Sequence, residues 1–473
     1  MAGTRTEELA TLIARVIMSA PFIWAGYTKL LTAAGTQAYF AKLGLPVPEL
    51  AWSGESQTPD IATKTTSTNQ LGPKSMPRGW TLDEIHRRWH SVRLRMKEAQ
   101  LDCLLLPGAE PDGRYLSASS ASWVVFPYDG RPAAIFPGRE PLPLEIVGAD
   151  APEKSRDLQK NSVDLGMDLR SPRTEEEGMV SPIVVDVLRE KGMAQARIGV
   201  SNLEGVYRNL EGNVNYTTYD RILKAFSQAK FTSASDLMMR VKLVRSAEEI
   251  AVLEKATMVG EAGLRAMFAT ARPGVSHREV WTNTWRAMWE ASGEYPRVSI
   301  AANAQGASTH GRPQDESLAS GAVLAEEITS SVLGYQAQVN HSVAIGAAPA
   351  DWDSAARYSI DLFHVLLDWI APGRTYKEFV DFYGQKQEAR ETKPQNVVLW
   401  TCGFGDGPRS GPGGRTEGVN LSFEAGQVFD LKPVIAIRQG NGALAQFGDS
   451  VLVTEKGARR LGTRKLEVLT LGA

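Results

Sequence analysis

Histidine and cysteine are the side chains that most readily move protons, attack carbon or bind metals near neutral pH, and this chain has few of either. Its six histidines are His86, His90, His277, His310, His341 and His364, and its two cysteines are Cys103 and Cys402. The cysteines stand far apart in no paired-ligand spacing, which argues against a disulfide framework or a zinc knuckle and suits a reducing cytoplasm. His86 and His90 lie one helical turn apart, as metal ligands can, but no third ligand stands near them, so they read as a solvated helix face. Trp281, Trp285 and Trp289 recur at helical spacing and read as helix-packing residues. Any chemistry therefore depends on what the fold sets beside single residues.

The elements that must position those residues are legible from residue 81 onward. Thr81 and Glu84 form a capping-box pattern ahead of a helix through Ile85, Trp89 and Met96. The run LDCLLLP reads as a buried strand, and WVVFPYDGRPAAIFP as a hairpin turning at Asp129-Gly130. A helix near 180–192 and a strand at RIGVS continue an α/β alternation, giving a domain over 78–235. A second capping box, Ser246 to Glu249, opens a long helix to about Ala271. ARPG stops it, and Ser276 and Glu279 open another through Trp289. Strands follow from Arg297 to Gly346, then a helix from Ser354 to Ile370 and one capped by Thr375 and Glu378, then strands from Val397 on. Two helices followed by strands, twice over, is an internal pseudo-repeat filling a second domain over 236–473.

At 473 residues the chain is long enough for two domains plus appendages. Its 43% hydrophobic and 22% charged content is that of a folded soluble protein, and a net charge of −2 supplies no field for nucleic acid or anionic membrane. Residues 1–50 differ. The apolar stretch from Val16 to Thr28 is interrupted by Pro21 and falls short of the roughly 20 residues needed to cross a bilayer. The run RVIMSAPFIWAGYTKLLTAAGTQAYFAKLGLPVP, within residues 9–46, resembles the first helix and following loop of DoxX-family membrane proteins. It implies membrane contact only if this fragment is functional; a fusion remnant or a misassigned start explains it equally. Residues 51–77, rich in Ser, Thr, Pro and Gly without periodicity, read as a disordered linker.

From residue 76 to about 471 the layout resembles the pita-bread fold shared by methionine and Xaa-Pro aminopeptidases, prolidase and creatinase. The segments that carry the resemblance are RVKLVRSAEEIAVLEKA, ANAQGASTHGRP, EEITSSVLGYQAQVNHSVAIG, TCGFGDGPRSGPG, FEAGQVFDLKPVIA and FGDSVLVTEKG. It implies an α+β protein: a C-terminal pita-bread domain preceded by a smaller creatinase-type α/β domain. Metal-dependent members converge two Asp, one His and two Glu on a pair of divalent ions. At those positions this chain has Glu327, Gln338, Cys402, Lys432 and Gly448. One carboxylate survives, and a lysine ammonium repels cations, so the expectation is no metal and no other cofactor. Asp430, two residues before Lys432 on the same strand face, offers at most a partial rescue.

The resemblance places His310 where the family keeps a proton-handling histidine, which makes it the candidate general acid/base; a core histidine is the alternative. It sets Lys432 opposite Glu327, either as a buried ion pair filling the vacated centre or as a fixed positive charge for a substrate carboxylate or oxyanion. Cys402 is a candidate nucleophile or an inert thiol in a glycine loop, and Arg409 a carboxylate clamp or a solvent-facing arginine. Gln338 occupies a ligand position; period two puts Asn340 on its face and His341 on the opposite one. Creatinase carries a glutamate at the Asn340 position for a guanidinium-like group, so creatine itself is disfavoured. Tyr335 joins Gln338, Asn340 and Arg409 as a candidate substrate-binding residue. Arg114, Tyr115 and Trp123 lie where relatives reach across a dimer, with core packing preferred for Trp123. The expectation is a cytoplasmic, homodimeric, metal-independent hydrolase or lyase acting on a C–N or related bond of a small carboxylated molecule. The alternatives are a catalytically inactive pita-bread binding module and, less favoured, a metallopeptidase of Xaa-Pro dipeptidase type.

Overall fold

The computed structural model describes residues 76–77, 79–107, 111–119, 123–136, 138, 166–172, 178–207, 210–302, 311–388, 399–401, 403, 407–410, 420–437 and 444–472, all within the compact unit Asn69–Ala473. The apolar fragment over 1–50 and almost all of the linker over 51–77 lie outside these residues, as do His310 and Cys402.

The first sheet grows around β1 (Cys103–Pro107), every residue of which is buried. Helix α1 (Leu82–Glu98) precedes it, capped by Thr81, whose hydroxyl accepts from the Glu84 amide. The anticipated box is only half formed: Glu84 turns to Arg87 and Arg88, and the Thr81 amide donates to Glu248 instead. His86 and His90 are exposed on this helix, as their spacing suggested. β2 (Trp123–Pro127) pairs antiparallel with β1 and with β3 (Ala133–Ile135), the expected hairpin, with Gly130 at φ 98° in its turn. β4 (Asp168–Arg170), β5 (Arg197–Val200) and β6 (Lys230–Ser233) complete six strands in the order β4-β3-β2-β1-β5-β6. Among the described residues four helices accompany α1 here: α2 (Pro111–Ser117), α3 (Ser181–Glu190), α4 (Tyr216–Ala225) and α5 (Ser235–Leu243).

The second sheet holds the candidate site, and among the described residues four helices accompany it. Helix α6 (Ala247–Thr270) starts with the full reciprocal box between Ser246 and Glu249. Its inward face packs on the sheet so closely that a Cβ on Gly260 would come within 2.9 Å of Val339. Helix α7 (His277–Ser292) lies against α6. β7 (Arg297–Ala302), β8 (Val323–Val332), β9 (Tyr335–His341) and β10 (Val343–Ile345) follow. The pattern then repeats with α8 (Trp352–Trp369), α9 (Tyr376–Glu388) and β11 (Leu399–Thr401), β12 (Arg409–Ser410), β13 (Val428–Leu431), β14 (Val434–Ala436), β15 (Leu444–Val453), β16 (Ala458–Arg460) and β17 (Thr470–Leu471). The path through this eleven-stranded sheet is β12-β11-β13-β15-β9-β8-β10-β17, with β14 and β16 on β15 and β7 on β8. Alternation along the strands divides the two faces. Ile328, Val339, Phe447 and Val451 point into the cores shared with α6 and α8. Glu327, Gln338, Asn340 and Gly448, next to the first three in sequence, lie on the other face, that of the candidate site.

A buried cation–aromatic cluster joins the two sheets. The Arg88 guanidinium lies 3.9 Å from the Trp80 ring centroid and 4.6 Å from that of Tyr115. Glu249, fully buried, accepts from the Tyr335 hydroxyl at 2.6 Å and from Arg87 at 2.8 Å. Lys242 pairs with Asp112 nearby, both buried. Tyr115 and Trp123 are core residues of the described chain.

Candidate functional site

Strand register assembles the site. Thr329 pairs with Gln338, Gly448 with Asn340, Leu431 with Asp449 and Val434 with Gln446. The common register of β13 and β14 on β15 sets Lys432 opposite Gly448. Five strands thus bring Glu327, Gln338, Asn340, Gly448, Asp430 and Lys432 to one face.

The centre of this face is the Lys432 ammonium. It donates to Glu327 Oε1 at 2.9 Å and to Gln338 Oε1 at 2.5 Å, and it lies 3.3 Å from Asp430 Oδ2. The Trp400 ring centroid is 5.2 Å away, within cation–π range. Lys432 is 6% exposed and Asp430 is fully buried. Burial opposes the lysine's charge, but Asp430 and Glu327 outweigh it and hold its pKa above the ordinary lysine value. Burial pushes the Asp430 carboxyl up to about 7 against the pull of Lys432. The ammonium is therefore charged throughout the neutral range, and the cluster can change charge only through its acids.

Divalent ions need converging lone pairs on oxygen, nitrogen or sulfur. Here the oxygens of Glu327 and Gln338 already accept from an ammonium, which repels a dication at this range. Gly448 closes the remaining approach: a Cβ there would meet Lys432 Cβ at 2.7 Å, and Asn340 Oδ1 and Leu431 O at 2.8 Å. Among the described residues no group of three or more His, Cys, Asp or Glu could hold a metal ion. These side chains do not fit a dinuclear centre.

The helix-side face fixes the same strands with a second charged network. Asp449 accepts from Arg460 at 2.8 Å and from Arg464 at 2.9 Å. Arg464 also donates to the carbonyls of Asn340 and Gly448, while Glu261 on α6 receives the amides of Thr463 and Arg464, each at 2.7 Å. His341 faces this side, as period two requires, between Phe268 and Phe447, with its Nε2 2.9 Å from the Glu467 carbonyl. Burial, reinforced by Arg464, lowers its pKa to about 3. Glu326, buried beside it, is pushed well above the usual carboxylate range by burial, against the hydrogen bond from the His341 amide.

Of the residues singled out from sequence, Glu327, Lys432, Gln338 and Asn340 are brought together. Tyr335 is not: it is fully buried in the cluster of Trp80, Arg88 and Glu249. Arg409 pairs in β12 with Trp400. His310 and Cys402 lie outside the described residues; the chain on either side of His310 is tied through His277, whose Nε2 lies 2.9 Å from the Ile300 carbonyl while its Nδ1 accepts from the Gln314 amide. Trp281 donates its indole N–H to Val298, whereas Trp285 and Trp289 stack on each other at 5.4 Å, partly exposed. Two site residues escaped the sequence reading. Trp400 gave no signal, because its place beside Lys432 comes from the β11–β13 pairing. Gln446 stands two residues before Gly448, so the alternation used for Asn340 would have found it.

Comparison with known proteins agrees with this architecture. Residues 251–455 match the model of metallopeptidase family M24, and residues 10–54, outside the described chain, match DoxX. The Xaa-Pro dipeptidase of Pyrococcus furiosus is 21% identical over 263 residues, covering 55% of this chain and 74% of that protein. The structure of Xaa-Pro dipeptidase from Bacillus anthracis superposes with a TM-score of 0.67 at 17% identity, covering 82% of this chain and all of that one. Dipeptidase PepE from Mycobacterium ulcerans gives 0.66 at 20% identity, covering 84% and 100%. The protein thus has the α+β pita-bread fold of the Xaa-Pro dipeptidases, and its second sheet, with the Lys432 cluster at the centre, falls in the stretch similar to metallopeptidase family M24.

Proposed function

We propose that this protein is an M24-type hydrolase that cleaves a C–N bond of a small carboxylated molecule without a dinuclear metal centre. One observation carries the reading: the Lys432 ammonium lies among Glu327, Gln338 and Asp430, where the sequence resemblance puts two cations. A fixed buried cation can stabilise an oxyanion that develops on the substrate, as a metal would, with no reorganisation during reaction. His310 serves as general acid/base, taking a proton from water and returning it to the leaving nitrogen. Arg409 clamps the substrate carboxylate, Gln338 and Asn340 orient the uncharged part of the substrate, and Cys402 lines the site. The peptidase names of the relatives support a hydrolase over a lyase. The working form in this proposal is a cytoplasmic homodimer.

Neutralisation of Lys432 by two acids favours a second reading, a pita-bread binding module with no turnover. One experiment separates the two. The purified chain is stripped with chelator and screened against Xaa-Pro dipeptides and N-acyl and guanidino carboxylates, with His310→Ala and Lys432→Met alongside. Turnover that survives chelation and is lost in both variants supports the hydrolase. Turnover that requires added manganese, cobalt or zinc overturns it, and binding without turnover selects the second reading.

A further inference from the structure

Gln338, Asn340 and Lys432 are buried, but towards β7 the site face opens: Glu327 and Trp400 are partly exposed, and Arg297 is exposed. Arg297 begins β7 opposite Thr329. The period of the strand buries Val298 and Ile300 in the core and puts Arg297 and Ser299 on the face of Thr329 and Glu327. The Arg297 guanidinium lies 5.5 Å from the Trp400 ring centroid, and the Lys432 ammonium lies 5.2 Å from the same centroid. Both are within cation–π range. A polar thread also joins the two cations. Arg297 donates to Thr329 Oγ1 at 3.5 Å, Gln338 Nε2 donates to that oxygen at 2.9 Å, and Gln338 Oε1 accepts from Lys432.

Arg297 differs from Lys432 in having no acid: among the described residues it makes no ion pair, and the two carboxylates nearest along the fold are committed elsewhere. Glu327, one step along the same face of β8, accepts from Lys432 at 2.9 Å. Glu294, three residues before Arg297, accepts from Ser331 Oγ at 2.6 Å and from the Gly334 amide at 3.0 Å. A guanidinium carries five N–H donors in a rigid fork, and the protein engages this one only through the long bond to Thr329. Stacking on an aromatic ring fixes the plane of such a fork and leaves its edge able to take a planar anion in bidentate fashion. Lys432 is neutralised by its acids and Arg297 is not, so among the described side chains the unbalanced positive charge stands at the open end. We infer that Arg297, held on Trp400, binds the substrate carboxylate there. It is a second cation for the group that the proposed function gives to Arg409, the register partner of Trp400 on β12. Both cations touch one indole ring, so a molecule the size of an N-acyl amino acid reaches from Arg297 to Lys432. The inference deepens the proposed function and rests on it for the place of the substrate, whereas binding alone tests it.

The test is calorimetric titration of the chelator-treated full chain with two probes of one shape, N-acetylglycine and N-acetylglycinamide, which differ in the charge of one end. Neither measurement requires turnover. The subsite predicts that the carboxylate binds about 10-fold more tightly than the amide at low salt, the worth of a charge-assisted hydrogen bond, and that the preference shrinks as salt is added. Arg297→Gln removes the preference and, because the side chain is exposed, leaves the thermal midpoint unchanged. Arg297→Lys keeps the charge without the fork and retains part of the preference. Should Arg297→Gln not fold, Trp400→Leu, which takes away the platform, reads the same loss. Equal binding of the two probes, a preference that persists in Arg297→Gln, or no binding of either probe would each overturn the inference. A chelator-sensitive hydrolase that kept an Arg297-dependent carboxylate preference would sink the metal-free reading alone.

Discussion

Replacing Lys432 by Met keeps the length of the side chain and deletes its charge, which makes it the sharpest perturbation of the site. In the wild-type protein the ammonium serves Glu327, Gln338 and Asp430 at 2.9, 2.5 and 3.3 Å. Removing it leaves two carboxyl groups facing each other with almost no water, and breaking a buried ion pair from one side costs about 3–5 kcal/mol. For a domain of this size that corresponds to a fall in thermal midpoint of roughly 10 °C. The loss depends on pH, because the stranded acids escape by taking up protons. It is largest at pH 8, where wild-type Asp430, with its carboxyl at about 7, is ionised, and shrinks at pH 5. Adding Glu327→Gln to Lys432→Met removes one of the two acid charges that faced the ammonium and restores part of the loss, a coupling of about 1–3 kcal/mol. Thermal melts of the two single variants and the double variant at both pH values measure this. Equal destabilisation at pH 5 and 8, with the two substitutions simply additive, would refute the claim that the lysine neutralises these acids.

Three further outcomes follow from other parts of the fold. Gly448→Ala places a Cβ 2.7 Å from Lys432 Cβ and 2.8 Å from the Leu431 carbonyl, so it lowers stability by about 1–3 kcal/mol, read from the thermal midpoint. His341 has a folded pKa near 3, below its unfolded value; it contributes stability above about pH 6.5 that is lost progressively as pH falls toward 3. His341→Gln therefore flattens the acid limb of the stability profile measured between pH 6.5 and 4. Ser246→Ala removes the hydroxyl that caps α6 and costs about 1 kcal/mol in chemical denaturation, with Ser246→Thr retaining most of it.

Much of the fold was legible because its signals are local. The Ser246–Glu249 and Thr375–Glu378 boxes form reciprocally, since each needs only four consecutive residues. The opposition of Lys432 and Glu327, 105 positions apart, followed from the family resemblance and not from any pattern in the residues themselves. What stayed hidden depends on register between distant strands or on competition between partners. Thr81 lost its reciprocal bond because Glu248, on another helix, took its amide. Tyr335 was read as a site residue, but its hydroxyl is held by Glu249 and its ring by Trp80. Trp400 reaches Lys432 only because β11 pairs with β13, and Arg464 clamps Asn340 and Gly448 from a segment without any motif.

The most direct test of the central claim is a calorimetric titration of chelator-treated protein with manganese, cobalt and zinc ions, paired with elemental analysis of the protein as purified. A site centred on the Lys432 ammonium takes up no pair of ions, and Glu327→Gln leaves the titration unchanged. Two equivalents bound per chain, lost when Glu327 is replaced, would contradict it.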